Sequence, residues 1–326
     1  MKKIICLMLC ALAAVSVCAC DKDNTQTATE AATETAQVQE TEAATPDESG
    51  ISLKSYIASF DKTPTVEEEV VYEDKDLKIT LTGLDYAAIS GPGLKFQIES
   101  TCSKGVIVQS PYAVVNGYMV SPQMNIEVPE NKTVTGTLTL PYFNLAISEI
   151  TSLQKIEFVL RIVEAKTYEP ITKTDLITVT TSAKQEEQSV CDDNGQIAYD
   201  DNDIKIILKG VNTDRAYSDG AELMVYLYNG TDKNIAVRTG DVIVNGCDMT
   251  SAMNCTVLPD KHAVDVVTFY TLDMEEFGID EIDSVKVSFE IKDADSWETI
   301  DSTGLISVEL KQTATEAAEP ETEAEE

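Results

Sequence analysis

The chain contains the same β-rich block twice, and this duplication restricts its fold more than any other feature. Leu94–Gly117 aligns without a gap with Leu223–Gly246, and each segment ends in Val-Asn-Gly. Further along the chain, Ile156–Ile171 aligns with Val285–Ile300. Since a duplicated block folds as a repeated structural unit, we expect two similar domains in tandem.

Each copy has the sequence pattern of a small all-β domain. In the first copy the predicted strands are Leu77–Leu81, Leu94–Glu99, Val106–Gln109, Ala113–Asn116, Val134–Leu140, Ile156–Ile162 and Leu176–Val179. Asn116-Gly117 and Asn245-Gly246 are typical of type I′ hairpin turns, which need positive φ at both positions. This pattern predicts two tandem β-sandwiches that are immunoglobulin-like in architecture only, because neither copy has the Cys, Trp and Cys spacing of a true immunoglobulin domain.

Composition and periodicity divide the chain into seven segments. These are a signal peptide (1–19), a tether (20–50), an amphipathic helix (51–62), repeat 1 (66–182), a linker (183–196), repeat 2 (197–310) and an acidic tail (311–326). The tether and the tail are rich in Thr, Ala and Glu, which bury too little apolar surface to fold, so we predict that both are disordered. Within the helix, Leu53, Tyr56, Ile57 and Phe60 share one face, and we expect that face to dock on repeat 1.

The N-terminus has the features of a secretory signal peptide. Two lysines precede the apolar run Ile4–Val17, which is too short for a stable membrane span. Val17 and Ala19 before Cys20 resemble a bacterial lipobox, with Cys18 as the alternative lipid site. The resemblance implies a diacylglyceryl group on Cys20 and a chain anchored by lipid to the outer face of the cell membrane, outside the cytoplasm.

The charge of the chain excludes a class of partner. Asp and Glu number 57 against 24 Lys and Arg, a formal net charge of −33. Nucleic-acid affinity comes largely from Lys and Arg that displace counterions, so a nucleic-acid binder is excluded. Anionic lipid would be repelled in the same way, so membrane attachment must come through the lipid anchor.

Several motifs of repeat 2 resemble a known family. They are Tyr199-Asp200-Asp201, Pro259-Asp260-Lys261 and the segment Asp293–Ile300. Together with the Val-Asn-Gly hairpins they are similar to Gram-positive lipoproteins with tandem immunoglobulin-like repeats. That family implies the fold and a surface location but no biochemical function, and repeat 1 departs from it at Tyr168, where repeat 2 has Trp297.

Two clusters in repeat 2 are candidate ligand sites. Cys247, Met249, Met253 and Cys255 flank one short connection, which leaves three interpretations: packed thiols and thioethers, a disulfide, or a copper(I) site. Asp200, Asp201 and Asp203 offer oxygens for calcium, although they do not follow EF-hand spacing. The alternative for these acids is a solvated linker.

The remaining candidates are aromatic or ionisable. His262 follows Pro259-Asp260-Lys261 and is predicted to lie in an exposed turn. Trp297 and Tyr168 are interpreted as aromatic plugs at the sandwich edges, with a binding hot spot as the alternative. The candidates for an exposed recognition surface are Tyr112, Tyr118, Tyr142, Tyr217 and Tyr270.

These observations favour a non-enzymatic binding or spacer module at the cell surface. Its expected partners are the membrane, through the lipid anchor, and a cell-wall polymer, a glycan or a surface protein, with no cofactor. The alternative is an extracytoplasmic enzyme that acts on the cell wall or on glycans with a pair of carboxylates.

Overall fold

The computed structural model describes residues 53–185, 194–212 and 220–310. The helices are α1 (Leu53–Ser59), α2 (Tyr142–Ile147) and α3 (Thr271–Glu276), and the other regular elements are strands. The predicted all-β class is therefore confirmed. Glu48–Glu326 form one compact unit, which contains both hydrophobic cores and so has what it needs to fold by itself. No helix within the described residues is both long and apolar enough to cross a membrane.

Repeat 1 contains twelve strands in the described residues. They are β1 (Glu69–Glu73), β2 (Leu77–Asp85), β3 (Gly93–Ser100), β4 (Val106–Gln109), β5 (Ala113–Val115), β6 (Tyr118–Val120), β7 (Asn125–Val128), β8 (Thr133–Thr139), β9 (Lys155–Phe158), β10 (Arg161–Glu164), β11 (Pro170–Lys173) and β12 (Ile177–Thr180). The seven predicted strands are present, with Ile156–Ile162 divided between β9 and β10. Short strands β1, β6, β7 and β11 were not predicted.

Repeat 2 follows the same order, and several of its central strands are longer. They are β13 (Gln196–Asp201), β14 (Ile204–Asn212), β15 (Gly220–Asn229), β16 (Ile235–Val244), β17 (Cys247–Asp248), β18 (Asn254–Val257), β19 (Lys261–Tyr270), β20 (Val285–Asp293), β21 (Thr299–Ser302) and β22 (Ile306–Ser307). Strand β16 corresponds to β4 and β5 joined, and β20 corresponds to β9 and β10 joined. Even the bulges recur, since pairing shifts at Gly83 in β2 and at Gly210 in β14.

The two repeats share a continuous sheet. Its strand order is β12-β9-β5-β6-β19-β15-β14-β13, and all its neighbours are antiparallel except β6 and β19. Those two strands meet in parallel where Tyr118 faces His262, and the His262 backbone N–H donates to the Gly117 carbonyl oxygen at 3.1 Å. Three further sheets complete the sandwiches: β1-β2-β3-β8, β11-β10-β4-β7 and a sheet built on β16 and β20. The repeats are therefore joined through their backbones.

The two predicted Asn-Gly turns are confirmed. Asn116 and Gly117 have φ values of 50° and 93°, and Asn245 and Gly246 have 50° and 86°. The Asn116 side chain also holds the next connection, because its Oδ1 accepts from the backbone N–H groups of Gln154 and Lys155 at 3.0 and 3.1 Å. Asn245 repeats this arrangement in the second copy. Each Asn-Gly pair thus fixes both a hairpin and a neighbouring loop.

Helix α1 docks on repeat 1 through the predicted face. Tyr56 and Phe60 are both buried, and Leu53 and Ile57 pack against the same hydrophobic cluster. The Tyr56 hydroxyl donates to the carbonyl oxygen of Ile150, just beyond α2. The helix is therefore part of the first sandwich rather than of the tether.

Candidate binding cleft between the repeats

An aromatic box surrounds His262 where the repeats meet. The imidazole lies 5.0, 5.2 and 5.9 Å from the ring centroids of Tyr228, Tyr118 and Tyr226. Its Nδ1 shares a 2.8 Å hydrogen bond with the Tyr226 hydroxyl. Burial, and then the charge of Lys261, lower the pKa of His262, so the neutral imidazole is favoured. The predicted exposed turn is wrong, because His262 belongs to a central strand that pairs on both sides.

A buried ion pair crosses between the repeats beside this box. Lys261 Nζ lies 2.9 Å from Glu157 Oε2, and their side chains are 17% and 7% exposed. Lys155 approaches the other oxygen at 3.0 Å from a more exposed position. Burial alone would raise the pKa of Glu157, but the hydrogen bonds and charges of the two lysines outweigh it and lower that pKa. We call the aromatic box and this ion pair the seam.

A cleft of about 470 Å³ opens next to the seam. Repeat 1 contributes the loop before β5, the end of β9 and the segment after β11, and repeat 2 contributes the starts of β16 and β19. The lining residues are Tyr112, Val159, Lys173, Thr174, Asp175, Leu176, Asn234, Leu258, Pro259 and Lys261. Because both repeats supply walls, the cleft exists only when they are joined.

The cleft combines apolar and hydrogen-bonding surface. Among its lining residues Val159 and Leu258 are buried, while Lys173 and Asp175 are exposed. Lys173 Nζ lies 5.4 Å from the centroid of the Tyr112 ring, within the range of a cation–π contact. A few polar groups around apolar walls are typical of sites that bind small molecules or segments of a polymer. Of the predicted surface tyrosines, Tyr112 alone among those in the described residues lines this cleft.

Asn234 connects the cleft to the β20–β21 hairpin turn. Its carbonyl oxygen accepts from the Ala294 N–H at 2.9 Å, and its amide donates to Asp295 at 3.0 Å. This turn carries Trp297, which is 54% exposed and has a φ of 62°. Its equivalent in repeat 1, Tyr168, is 62% exposed with a φ of 59°. The interpretation of these residues as edge plugs is therefore wrong, because both rings face solvent.

The structure does not bring Cys247 and Cys255 together. Cys247 faces Val244 and Cys255 faces Val237 on the same edge of β16, seven positions apart. At about 3.3 Å per residue this is roughly 20 Å, far beyond the reach of a disulfide. Both are free thiols that pack against the core of repeat 2.

The two methionines of that cluster are part of the same core. Met249 is 8% exposed and Met253 is 3% exposed, and both belong to the hydrophobic cluster of repeat 2. The arrangement corresponds to the first of the three sequence interpretations, in which thiols and thioethers pack. The thiols needed for a copper(I) site lie at opposite ends of β16.

The acidic candidates for calcium lie at a hairpin turn. Asp200 and Asp201 end β13, and Asn202 and Asp203 form a turn with φ values of 53° and 58°. Neighbouring residues of a strand point to opposite faces, which separates the carboxylates of Asp200 and Asp201. Within the part of the chain that the structure describes, no three His, Cys, Asp or Glu side chains are arranged to hold a metal ion.

The other tyrosine and cysteine candidates are buried, exposed away from the cleft, or outside the described residues. Tyr118 and Tyr142 are buried, so they are not surface residues, whereas Tyr270 is 47% exposed. Tyr217 and the lipid-site candidates Cys18 and Cys20 lie outside the described residues, as do the signal peptide, the tether and the tail.

Sequence reasoning missed the cleft and the seam ion pair. Glu157, Lys173 and Lys261 occur in ordinary strand patterns, and nothing in their spacing indicates that they meet across the repeats. Lys261 itself is no signal, because the equivalent position of repeat 1 is also a lysine, Lys132. Long-range strand pairing, rather than a local motif, forms this site.

No protein-family model and no curated protein matches the chain. Among solved structures it is similar to the YadV chaperone, with 12% identity and a TM-score of 0.22, over 66% of this chain and 92% of that one. It is also similar to red sea bream transglutaminase, with 11% identity and a TM-score of 0.18, over 76% of this chain and 31% of that one. TM-scores this low carry no argument about function.

Proposed function

We propose that the protein is a lipid-anchored surface module that binds a wall glycan in the cleft between its repeats, without catalysing a reaction. Cys20 is the proposed lipid site, and the Thr, Ala and Glu-rich tether carries the compact unit away from the membrane. The observation that supports binding is the cleft itself, whose walls come from both copies. A pure spacer has no need for such a composite surface.

The chemistry of the cleft supports a glycan as the ligand. Lys173, Thr174 and Asn234 offer donors and acceptors of the kind that hydroxyl and amide groups need. Apolar walls at Val159, Leu258 and the Tyr112 ring suit the non-polar face of a sugar ring. Wall polymers present many copies of one unit, so a modest affinity per site suffices at a crowded surface.

Retention on purified cell wall tests this proposal. The compact unit is compared with its Lys173→Ala variant, which loses a donor and uncovers the Tyr112 ring. Lys95→Ala on β3 is the matched control, because it removes another exposed lysine, one that does not line the cleft. Losing one charged hydrogen bond should weaken retention about tenfold for Lys173→Ala and leave Lys95→Ala unchanged.

Three results would contradict the proposal. If Lys173→Ala and Lys95→Ala are retained equally well, the wall binds at another place on the protein. If the unmodified compact unit is not retained, the cell wall is not the ligand. Release of wall fragments during incubation would favour the alternative hypothesis, an enzyme that acts on the cell wall or on glycans, over a binding module.

A further inference from the structure

In repeat 1, helix α2 is covered by α1 and the segment that follows α1. In repeat 2, no helix within the described residues covers the equivalent helix, α3. The rings of Tyr56 and Phe60 lie 6.3 and 5.4 Å from the ring of Tyr142, at the start of α2. The following segment covers the loop after α2, since the Asp61 N–H donates to the Thr151 carbonyl oxygen at 2.9 Å. In the part of the chain that the structure describes, no helix takes this position over α3.

The open helix leaves large apolar side chains in solvent. Leu272 in α3 is 72% exposed, Phe277 after it is 47% exposed, and Tyr270 before it is 47% exposed. Leu272 corresponds to Phe143 of repeat 1, which is only partly exposed. Isolated exposed apolar residues are normal, but three around one six-residue helix are typical of an interaction surface.

Acidic side chains surround these apolar residues. In α3 and the segment that leads to β20 they are Asp273, Glu275, Glu276, Asp280, Glu281 and Asp283. The positions equivalent to Glu275 and Glu276 are Ala146 and Ile147, which pack against the core of repeat 1. Repeat 2 thus has negative charge where repeat 1 has uncharged side chains, so an occupant of this surface must be basic as well as apolar.

Helix α3 also contains unpaired polar atoms. Asp273 Oδ2 and Thr271 Oγ1, two residues apart, are buried and have no hydrogen-bond partner among the described residues. A buried polar atom without a partner is costly.

We propose that α3 and the loop through Asp283 bind a basic amphipathic helix of a partner protein. Residues 53–62, helix α1 and the segment after it, show this chemistry on the homologous surface, with apolar anchors on one face and Lys54 and Lys62 against the single Asp61. The chain's own termini do not fit, because residues 21–50 and 311–326 are acidic and nearly without large apolar residues. This docking surface is independent of the glycan cleft.

Fluorescence anisotropy with a labelled peptide of residues 51–62 tests the proposal directly. The compact unit should bind this peptide saturably, and Leu272→Glu should weaken binding about 10- to 100-fold through the lost burial of one leucine. Ile171→Glu is the matched control, because Ile171 is 56% exposed on β11 and should leave binding unchanged. A peptide with Lys54→Glu and Lys62→Glu should bind more weakly than the parent peptide. Circular dichroism checks that both protein variants keep their fold.

Each alternative occupant gives its own result. Binding that Leu272→Glu leaves unchanged would mean that the peptide displaces α1 from α2, and no binding would refute a helix-docking surface outright. If sedimentation shows a dimer that Leu272→Glu dissociates, the occupant is a second copy of this chain. Each of these results overturns the partner-helix proposal.

Discussion

Breaking the seam ion pair should destabilise the whole compact unit. In Lys261→Met, Glu157 loses a partner at 2.9 Å while its side chain remains 7% exposed. Removing one member of a buried pair costs about 3–5 kcal/mol. Lys155 stays at 3.0 Å and compensates part of that charge, so we expect a loss of about 2–3 kcal/mol. The control, Lys155→Met, removes a lysine that is 44% exposed and should cost less than about 1 kcal/mol.

Urea unfolding followed by circular dichroism measures this difference. With a slope of about 3 kcal/mol per molar urea, Lys261→Met should lower the midpoint by about 0.8 M. The transition should remain single, because the shared sheet couples both repeats. Equal shifts for the two variants, or the loss of only half of the signal at the lower midpoint, would refute the reasoning.

Three further predictions concern single side chains. Because the pKa of His262 is lowered in the folded state, the unfolded chain takes up that proton first, and stability should fall as the pH drops below about 6.5. In urea titrations from neutral to mildly acidic pH, the free energy of unfolding of His262→Gln should not show this fall. The same pH dependence in the variant and the parent would contradict the attribution of the fall to His262. Asn116→Ala should cost about 2–4 kcal/mol, since it loses three hydrogen bonds and places alanine at a φ of 50°; a thermal melt within a degree of the parent would disprove this role. Alkylation of the unfolded, unreduced chain should label Cys247 and Cys255, and mass spectrometry that finds them linked would overturn the strand register.

The sequence was sufficient for the fold class because its signals are local. Period-two patterns and the Asn-Gly pairs identify strands and turns from neighbouring residues alone. The duplication then predicts a second copy of whatever the first forms. Short strands such as β6 and β7 were missed because three or four residues are too few to establish a period.

The site could not be predicted because it depends on one distant contact. Tyr118 and His262 pair across the repeats, and no local pattern indicates a parallel pairing between strands so far apart. His262 was therefore assigned to a turn on the strength of the preceding Pro-Asp. Tyr168 and Trp297 were wrongly predicted to be edge plugs because residue type does not indicate that each lies at a positive φ in an exposed hairpin turn.

Hydrogen exchange with and without soluble wall glycan tests the central claim most directly. The glycan-binding account predicts that amides around the cleft, at 112–115, 173–177 and 234–237, are protected when the compact unit is saturated with glycan. Lys173→Ala should lose this protection at the same glycan concentration. Protection confined to another surface, or none at saturating glycan, would contradict the assignment of the cleft as the binding site.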